Sequence, residues 1–418
     1  MGTSVVSIAG AVLVGGVLLR AVVLLATTLA NLRFDRRRRR LELDLLTQRI
    51  EAARKRREAA VSAEATWAGL RKFEVQRKVL EGDGVASLYL VPHDRKPLPA
   101  FLPGQFLTFQ VKVAGRPKPE VRCYSLSDAP GKDFYRVTIK KVVSASGAPG
   151  VVSSWFVDQV EEGDIVDVRA PAGHFTLDMD SSSPVVLIGG GIGITPIVSM
   201  LNSICARQGR REVWVFCGER CGEQHALKEA IATTARDHDN VRLHVCYSQP
   251  SAKDEKGRDY DHAGRVTADF LHRILPSSNF KFYVCGPPAM MQTVVPDLQS
   301  WGVPKEDIHF EAFGPATMKE VTKRMTRPAA EAAEKIQITF RRSNKTCSWD
   351  GSCASILDLA DASGVKIESG CRVGNCGTCL AAVTSGEVKY STDPSAKIEA
   401  GSCLTCIAQP TGPLVLDA

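Results

Sequence analysis

Three cysteines fall within nine residues near the C-terminus, Cys371-Arg-Val-Gly-Asn-Cys376-Gly-Thr-Cys379, at x4 and x2 spacing. Thiolates at this spacing hold a [2Fe–2S] cluster when a fourth cysteine follows downstream. Two irons need four sulfurs converging on a small volume. Gly374 and Gly377 let backbone N–H groups approach those sulfurs, and such bonds help set the reduction potential. Zinc is the competing use of clustered cysteines, but a structural zinc site usually takes two separated pairs. Two later residues, Cys403 and Cys406, could each supply the fourth thiolate.

A second chemistry-bearing stretch starts at Val185, VVLIGGGIGITPIVSML. It reads as an apolar strand, a glycine loop and a helix whose first turn carries Thr195 and Pro196. Glycines let a backbone approach a diphosphate, and a helix N-terminus attracts anions. The spacing is Gly191-x-Gly193-x-x-Pro196 rather than G-x-G-x-x-G, so the loop alone is a weak signal. Three other short motifs are weak in isolation: Arg122-Cys-Tyr124-Ser125, Gly150-x-x-Ser153 and Cys285-Gly286-Pro287.

The elements that must position these residues change along the chain. Its 418 residues suggest about three domains. The net charge of +7 sits wholly in residues 33–57, which hold eleven Arg/Lys and four Asp/Glu. The excess therefore says nothing of a nucleic-acid surface on the globular part. Thirteen cysteines, seven of them beyond residue 335, are not a secreted disulfide framework. They fit a reducing, cytosolic compartment.

Residues 5–30 are apolar and long enough to span a bilayer as a helix. Arg20 interrupts them, at about 2.5–3.5 kcal/mol if central. With Ala11, Gly15 and Gly16 it marks either a face that packs on a membrane partner or a tolerated charge. The basic run Arg36–Arg40 places the following domains on the cytoplasmic side. The expected organisation is a transmembrane anchor (1–32), a basic helical stalk (33–66), an antiparallel barrel of short strands (67–178), a parallel α/β domain (179–317), a linker (318–334) and a cluster domain (335–418). The fold class is multi-domain α/β and α+β. Six barrel strands are expected near 72–79, 87–91, 105–111, 121–127, 134–141 and 165–169, separated by Gly, Pro and Asp turns.

Taken together and in this order, the motifs resemble the ferredoxin–NADP⁺ reductase superfamily over residues 67–318. The likeness is greatest to the reductase module of flavohaemoglobins and to the reductases of aromatic-ring dioxygenases. Phe310-Glu311-Ala312-Phe313-Gly314 belongs to the same pattern. Residues 335–418 resemble a plant-type, β-grasp-like ferredoxin.

The resemblance implies that Arg122 binds flavin phosphate and that Tyr124 stacks on the isoalloxazine. It implies that Ser125 bonds near flavin N5 and that backbone near Ser153 takes further phosphate. Gly191, Gly193 and Thr195 would hold the nicotinamide dinucleotide. Cys285, followed by Gly286, would sit near the nicotinamide, and Phe313 near the flavin. Catalytic roles then fall to Ser125 and Cys285. His174 stands where the flavohaemoglobin-like pattern usually has Asp or Asn. FAD is favoured over FMN by the Arg-Cys-Tyr-Ser-Leu-Ser-Asp run. NADH and NADPH both stay open, with a lean to NADH, because Glu219 and Arg220 follow the second strand together. The fourth cluster ligand is expected to be Cys406, because Leu404-Thr-Cys406-Ile-Ala matches the ferredoxin pattern. Strand alternation should also turn Cys403 to the opposite face.

The function so implied is a membrane-anchored NAD(P)H-dependent reductase. It passes electrons through flavin and [2Fe–2S] to a membrane oxygenase, hydroxylase or desaturase. A direct quinone or soluble-carrier reductase is the alternative within the enzymes. A non-enzymatic redox sensor or scaffold is the alternative outside them.

Overall fold

The computed structural model describes residues 67, 69–143, 147–207, 210–313, 336–372, 374, 377–391, 394, 396 and 398–418. The expected anchor at 1–32, the stalk at 33–66, the linker at 318–334 and Cys376 lie outside these residues. No helix among the described residues is long and apolar enough to cross a membrane.

Short alternating segments pair first. Strands β1 (Arg71–Gly82), β2 (Val85–Pro92), β3 (Phe106–Val111), β4 (Glu120–Ser125), β5 (Tyr135–Lys140) and β6 (Ile165–Ala172) form one antiparallel sheet. Its order is β4-β3-β6-β1-β2-β5. A bridge between Leu126 and Val137 joins the two outer strands, so the sheet closes as a barrel and loses its edges. The interior is filled by Phe73, Leu88, Leu107, Phe109 and Val137. Helix α1 (Val151–Ser154) runs into a π-helical turn, Trp155–Gln159, which delivers the fully buried Phe156 to the same core.

The apolar run from Val185 is strand β7 (Val185–Gly190), buried at every position as a strand covered on both faces must be. It pairs in parallel with β8 (Val213–Glu219) and, on its other side, with β11 (Lys281–Gly286). Strands β9 (Val241–Tyr247), β10 (His262–Ala263) and β12 (Ile308–Ala312) complete the order β10-β9-β8-β7-β11-β12. Helices α2 (Ile194–Ala206), α3 (Lys228–Arg236), α4 (Ala268–Ile274) and α5 (Pro288–Ser300) connect them. The chain winds outward from β7 to β10 and then returns to β11. The switch point is therefore between β7 and β11, where open α/β sheets take their ligands.

Barrel and sheet share a core, since Val85, Phe175 and Leu177 pack with Val185, Ile197 and Met200. Asp128 ties them further. Its carboxylate accepts from Lys132 Nζ (2.7 Å) and from Asn202 Nδ2 on α2 (2.9 Å), while Ser199 Oγ donates to its carbonyl (2.8 Å). Burial alone would raise the Asp128 pKa, but Arg136, Lys132 and Asn202 together hold it below the ordinary value. The stabilisation it gives is thus present above the usual aspartate value of about 4 and is lost as pH falls through the lower folded value. Asp128→Ala is expected to cost on the order of 3 kcal/mol at neutral pH, with a deficit that shrinks in acid. Urea midpoints at neutral and acidic pH check this.

The C-terminal domain holds β13 (Ile336–Phe340), β14 (Lys345–Trp349), α6 (Ile356–Ala362), β15 (Leu380–Ser385), β16 (Val388–Tyr390), β17 (Ser402–Leu404), β18 (Ala408–Pro410) and β19 (Leu414–Leu416). The main sheet runs β14-β13-β19-β15-β17, with β13 and β19 parallel at its centre, and β16 pairs with β18. Ser355 caps α6 by accepting from Asp358 N (3.2 Å). The helix packs Ile356, Leu359 and Ala360 over Ile338, Phe340, Leu414 and Leu416, the β-grasp arrangement expected. Lys118, in the β3–β4 turn, pairs with Glu368, which precedes Cys371 by three residues. Both side chains are exposed, so solvent screening leaves the pair little stabilising effect.

Candidate active site and metal centre

Strand β4 carries the first group of expected residues. Period-two alternation puts Arg122 and Tyr124 on one face and Ser125 on the other. Arg122 is exposed, with its guanidinium 3.2 Å from Glu120 Oε2. The Tyr124 ring meets Phe109 at 5.6 Å and Phe156 at 5.3 Å, both edge-on, so barrel packing fixes its plane. Burial pushes its phenol pKa up, and the hydroxyl stays protonated. Ser125 is buried. Ser153 Oγ donates to Gly150 O (3.1 Å) and accepts from Val142 N (3.1 Å). Its side chain therefore fastens the α1 entry. His174 is exposed.

The glycine turn is built for close approach. Gly191 has φ +53°, in the left-handed region where glycine is at home. A Cβ on Gly193 would lie 2.4 Å from Cys285 O and 2.7 Å from Gly286 N. The turn thus abuts the end of β11 backbone to backbone. It also packs against β5 of the barrel, which places the switch point at the barrel–sheet junction. Thr195 Oγ1 donates to Ile192 O (2.9 Å) and holds the turn closed. Phe313 follows β12 and is 39% exposed, accessible to a planar partner.

Cys285 is fully buried. Burial, and then the nearby Glu311, push its thiol well above the ordinary range, so it is a neutral group and not a nucleophile. Glu311 is paired across from it on β12. The Glu311 Oε2 atom is buried without a hydrogen-bond partner among the described residues. Burial pushes this carboxyl up to about 8 from an ordinary 4.5. The folded chain keeps the proton across that window, so this group's contribution to stability falls as pH rises through it. Glu311→Gln is expected to gain on the wild type steadily from pH 5 to pH 9, as thermal melts across the window would show. Glu311 has no assigned role in the Phe310–Gly314 motif. An acid inside an apolar parallel strand was the available signal.

The sulfur-rich loop is held from several sides. Gly374 has φ +74°, and a Cβ there would meet Ile407 Cδ1 at 2.5 Å. Thr405, fully buried, donates through N (3.2 Å) and Oγ1 (3.0 Å) to Cys379 O, while its own carbonyl accepts from Leu357 N on α6 (2.9 Å). Cys379 and Cys406 share a side-chain hydrogen bond, and the Gly374 N–H faces the Cys406 sulfur. That bond, burial and the nearby charges of Cys379 and Cys371 push the Cys406 thiol strongly up. Negative charges on these sulfurs coexist here if a cationic centre joins them, which is the chemistry of an iron–sulfur donor set. Among the described residues no three potential ligands close on a common point.

Cys403 packs into a different core, although its thiol still lies within electrostatic reach of Cys379. It is fully buried in the β-grasp core with Ile338 and Phe340, whereas Cys406 packs with Cys379, Leu357 and Ile407. The separation expected from strand alternation is present but has another cause. Strand β17 ends at Leu404, and residues 405–407 turn, with Ile407 N donating to Leu404 O (3.1 Å).

Models of known families match three stretches. They are an oxidoreductase FAD-binding domain over residues 76–177, an oxidoreductase NAD-binding domain over 187–295 and a 2Fe-2S iron-sulfur cluster binding domain over 338–411. A flavohemoprotein of Bacillus cereus (strain ATCC 10987 / NRS 248) is 41% identical over 259 residues, covering 62% of this chain. The match spans 64% of that relative's own length. The flavohem-like FAD/NAD-binding domain of nitric oxide dioxygenase from Vibrio cholerae O1 biovar El Tor is 32% identical, with a TM-score of 0.53. It covers 59% of this chain and 100% of that one. Phthalate dioxygenase reductase is described as a modular structure for electron transfer from pyridine nucleotides to [2Fe-2S]. It is 26% identical, with a TM-score of 0.50, and covers 84% of this chain and 98% of its own. The cofactors are accordingly FAD, NAD(P)H and a [2Fe–2S] cluster. This chain is thus an oxidoreductase that joins ferredoxin reductase-like FAD- and NAD-binding domains to a C-terminal 2Fe–2S domain.

Proposed function

We propose that the chain is the membrane-anchored reductase component of an oxygenase, hydroxylase or desaturase system. The observation that carries this reading is one chain holding both a glycine turn against the barrel and the Cys379–Cys406 pair beside Cys371. When bound, the nicotinamide supplies hydride, the FAD converts a two-electron input to single electrons, and the cluster hands them on one at a time.

The protein's part is orientation and exclusion of water. Tyr124, braced by Phe109 and Phe156, and Phe313 offer planar surfaces for the flavin. Arg122 offers charge to its phosphate, and the backbone at Ser153 and the Ser125 region adds hydrogen bonds. Gly191 and Gly193 open the dinucleotide turn and Thr195 locks it, with Cys285 and Gly286 as a neutral floor. Cys371, Cys376, Cys379 and Cys406 are the ligand set. The apolar segment 5–30 and the basic run after it support a single-pass anchor with the catalytic domains on the cytoplasmic side. Tethering raises the effective concentration of a membrane-bound acceptor.

Full-length protein in lipid nanodiscs tests the reading under anaerobic NADH. Flavin absorbance should fall first and cluster absorbance next, and cytochrome c reduction should need the cluster while ferricyanide reduction does not. Fast quinone reduction after cluster removal would favour a direct quinone reductase instead. Removing residues 1–66 should release the protein from membranes with ferricyanide turnover unchanged.

A further inference from the structure

Arg372 follows Cys371 directly and holds a left-handed backbone, φ +57°. Glycine takes that conformation without steric strain, and among the described residues of the same loop Gly374 and Gly377 also take it, each at φ +74°. Strained non-glycine residues gather at functional sites. The reason for an arginine here lies in its side chain. Its guanidinium reaches Asp361 Oδ2 (2.7 Å) and Asp358 Oδ1 (3.8 Å), both on α6. The Arg372 side chain is 26% exposed and that of Asp358 11%, so the contact is partly shielded from water. Helix α6 is also the post to which Thr405 fastens, through Leu357, and Thr405 in turn holds the Cys379 carbonyl. Both ends of the sulfur loop are therefore anchored on one helix.

We propose that Arg372 is a positioning residue. It pre-forms the Cys371 arm of the loop and supplies the positive charge that offsets Asp358 and Asp361, the two carboxylates it reaches from its place next to Cys371. This rests on the reading of Cys371, Cys376, Cys379 and Cys406 as ligands. Each electron accepted adds a negative charge, which two nearby carboxylates oppose and one guanidinium relieves. Local charge is among the quantities that set cluster potentials.

The test uses the full chain with Arg372→Lys, Arg372→Ala, Arg372→Gly and Asp361→Asn. Flavin content reports folding, and EPR-monitored redox titration gives cluster and flavin potentials in one sample. The rate of cluster loss to an iron chelator is the second readout. The cluster potential should fall in the Ala and Gly variants and stay near wild type in the Lys variant, while the flavin potential is unmoved. Cluster loss should quicken about tenfold in Arg372→Ala and less in Arg372→Gly, which keeps the turn without strain. Asp361→Asn should raise the potential, and it decides the matter if Arg372→Ala retains no cluster. An unmoved potential in the Ala, Gly and Asp361→Asn variants overturns the proposal, as does a Lys variant that falls as far as Ala. Wild-type protein lacking iron and inorganic sulfide would instead remove the ligand reading beneath it.

Discussion

Cys406→Ser is expected to abolish the [2Fe–2S] spectrum of the purified chain while leaving its FAD in place. Cys403→Ser is expected to keep both. The two cysteines are three residues apart, and the turn at 405–407 decides between them. It lifts Cys406 out of β17 toward Cys379 and leaves Cys403 in the apolar interior. Loss of one thiolate from a four-thiolate site removes most of the binding free energy, and where metal binding is coupled to folding that energy also stabilises the domain. The C-terminal domain should therefore melt earlier in the Cys406 variant, with the FAD and NAD domains unaffected. Reduction of cytochrome c by NADH should collapse, and ferricyanide reduction should persist. Iron analysis, EPR and two-acceptor assays read all of this. A cluster that survives in Cys406→Ser and vanishes in Cys403→Ser would reverse the assignment.

Gly193→Ala should be the most damaging single methyl in the nicotinamide half. The added carbon would lie 2.4 Å from Cys285 O and 2.6 Å from Cys285 C. These are backbone atoms of a buried central strand, and they cannot swing aside as a side-chain end would. Overpacking of this sort costs about 1–3 kcal/mol. The relaxation that follows must open the turn from β11, at the switch point itself. A displacement of about 1 Å can cost on the order of 10²-fold in rate. Anaerobic stopped-flow reduction of the flavin by NADH should slow by about that factor. Dithionite reduction of flavin and cluster should be unchanged. Gly191→Ala makes a useful companion, because nothing lies within 4 Å of a Cβ there and its penalty is the left-handed backbone alone.

Much of this architecture can be read from the residues. All six barrel strands stand where alternation and turn residues put them, and the apolar run at Val185 is the central parallel strand. Reading becomes poorer where elements are too short to show a period. Strands β16, β17, β18 and β19 have three residues each and β10 has two, so their partners and not their patterns make them strands. Residues 222–236 do not form one helix: a short 3-10 turn, Gly222–Gln224, precedes α3. The Gly222 N–H is taken by Asp254 Oδ1 (3.1 Å), and Leu227 holds a left-handed backbone before α3 begins. In the site, motif residues are legible because their types are rare in that order. Arg372, Thr405, Asp128 and Glu311 stand inside the same motifs, but their roles are not legible, because each acts on a neighbour that folding alone brings near. Lys118 and Glu368 meet across 250 residues of sequence.

The distribution of apolar cores has a consequence for descent. Val85, Phe175 and Leu177 belong to the same interior as Val185, Ile197 and Met200, whereas the β-grasp interior draws its residues from Ile336 onward. A genetic crossover between Leu177 and Val185 would split the shared interior and expose part of it on each half, although the barrel and the sheet each keep a further core of their own. A crossover in the stretch before Ile336 would divide no interior among the described residues. The barrel and the nucleotide sheet are therefore favoured to be inherited together. The cluster domain is a detachable one, free to be gained, lost or exchanged as the electron acceptor changes.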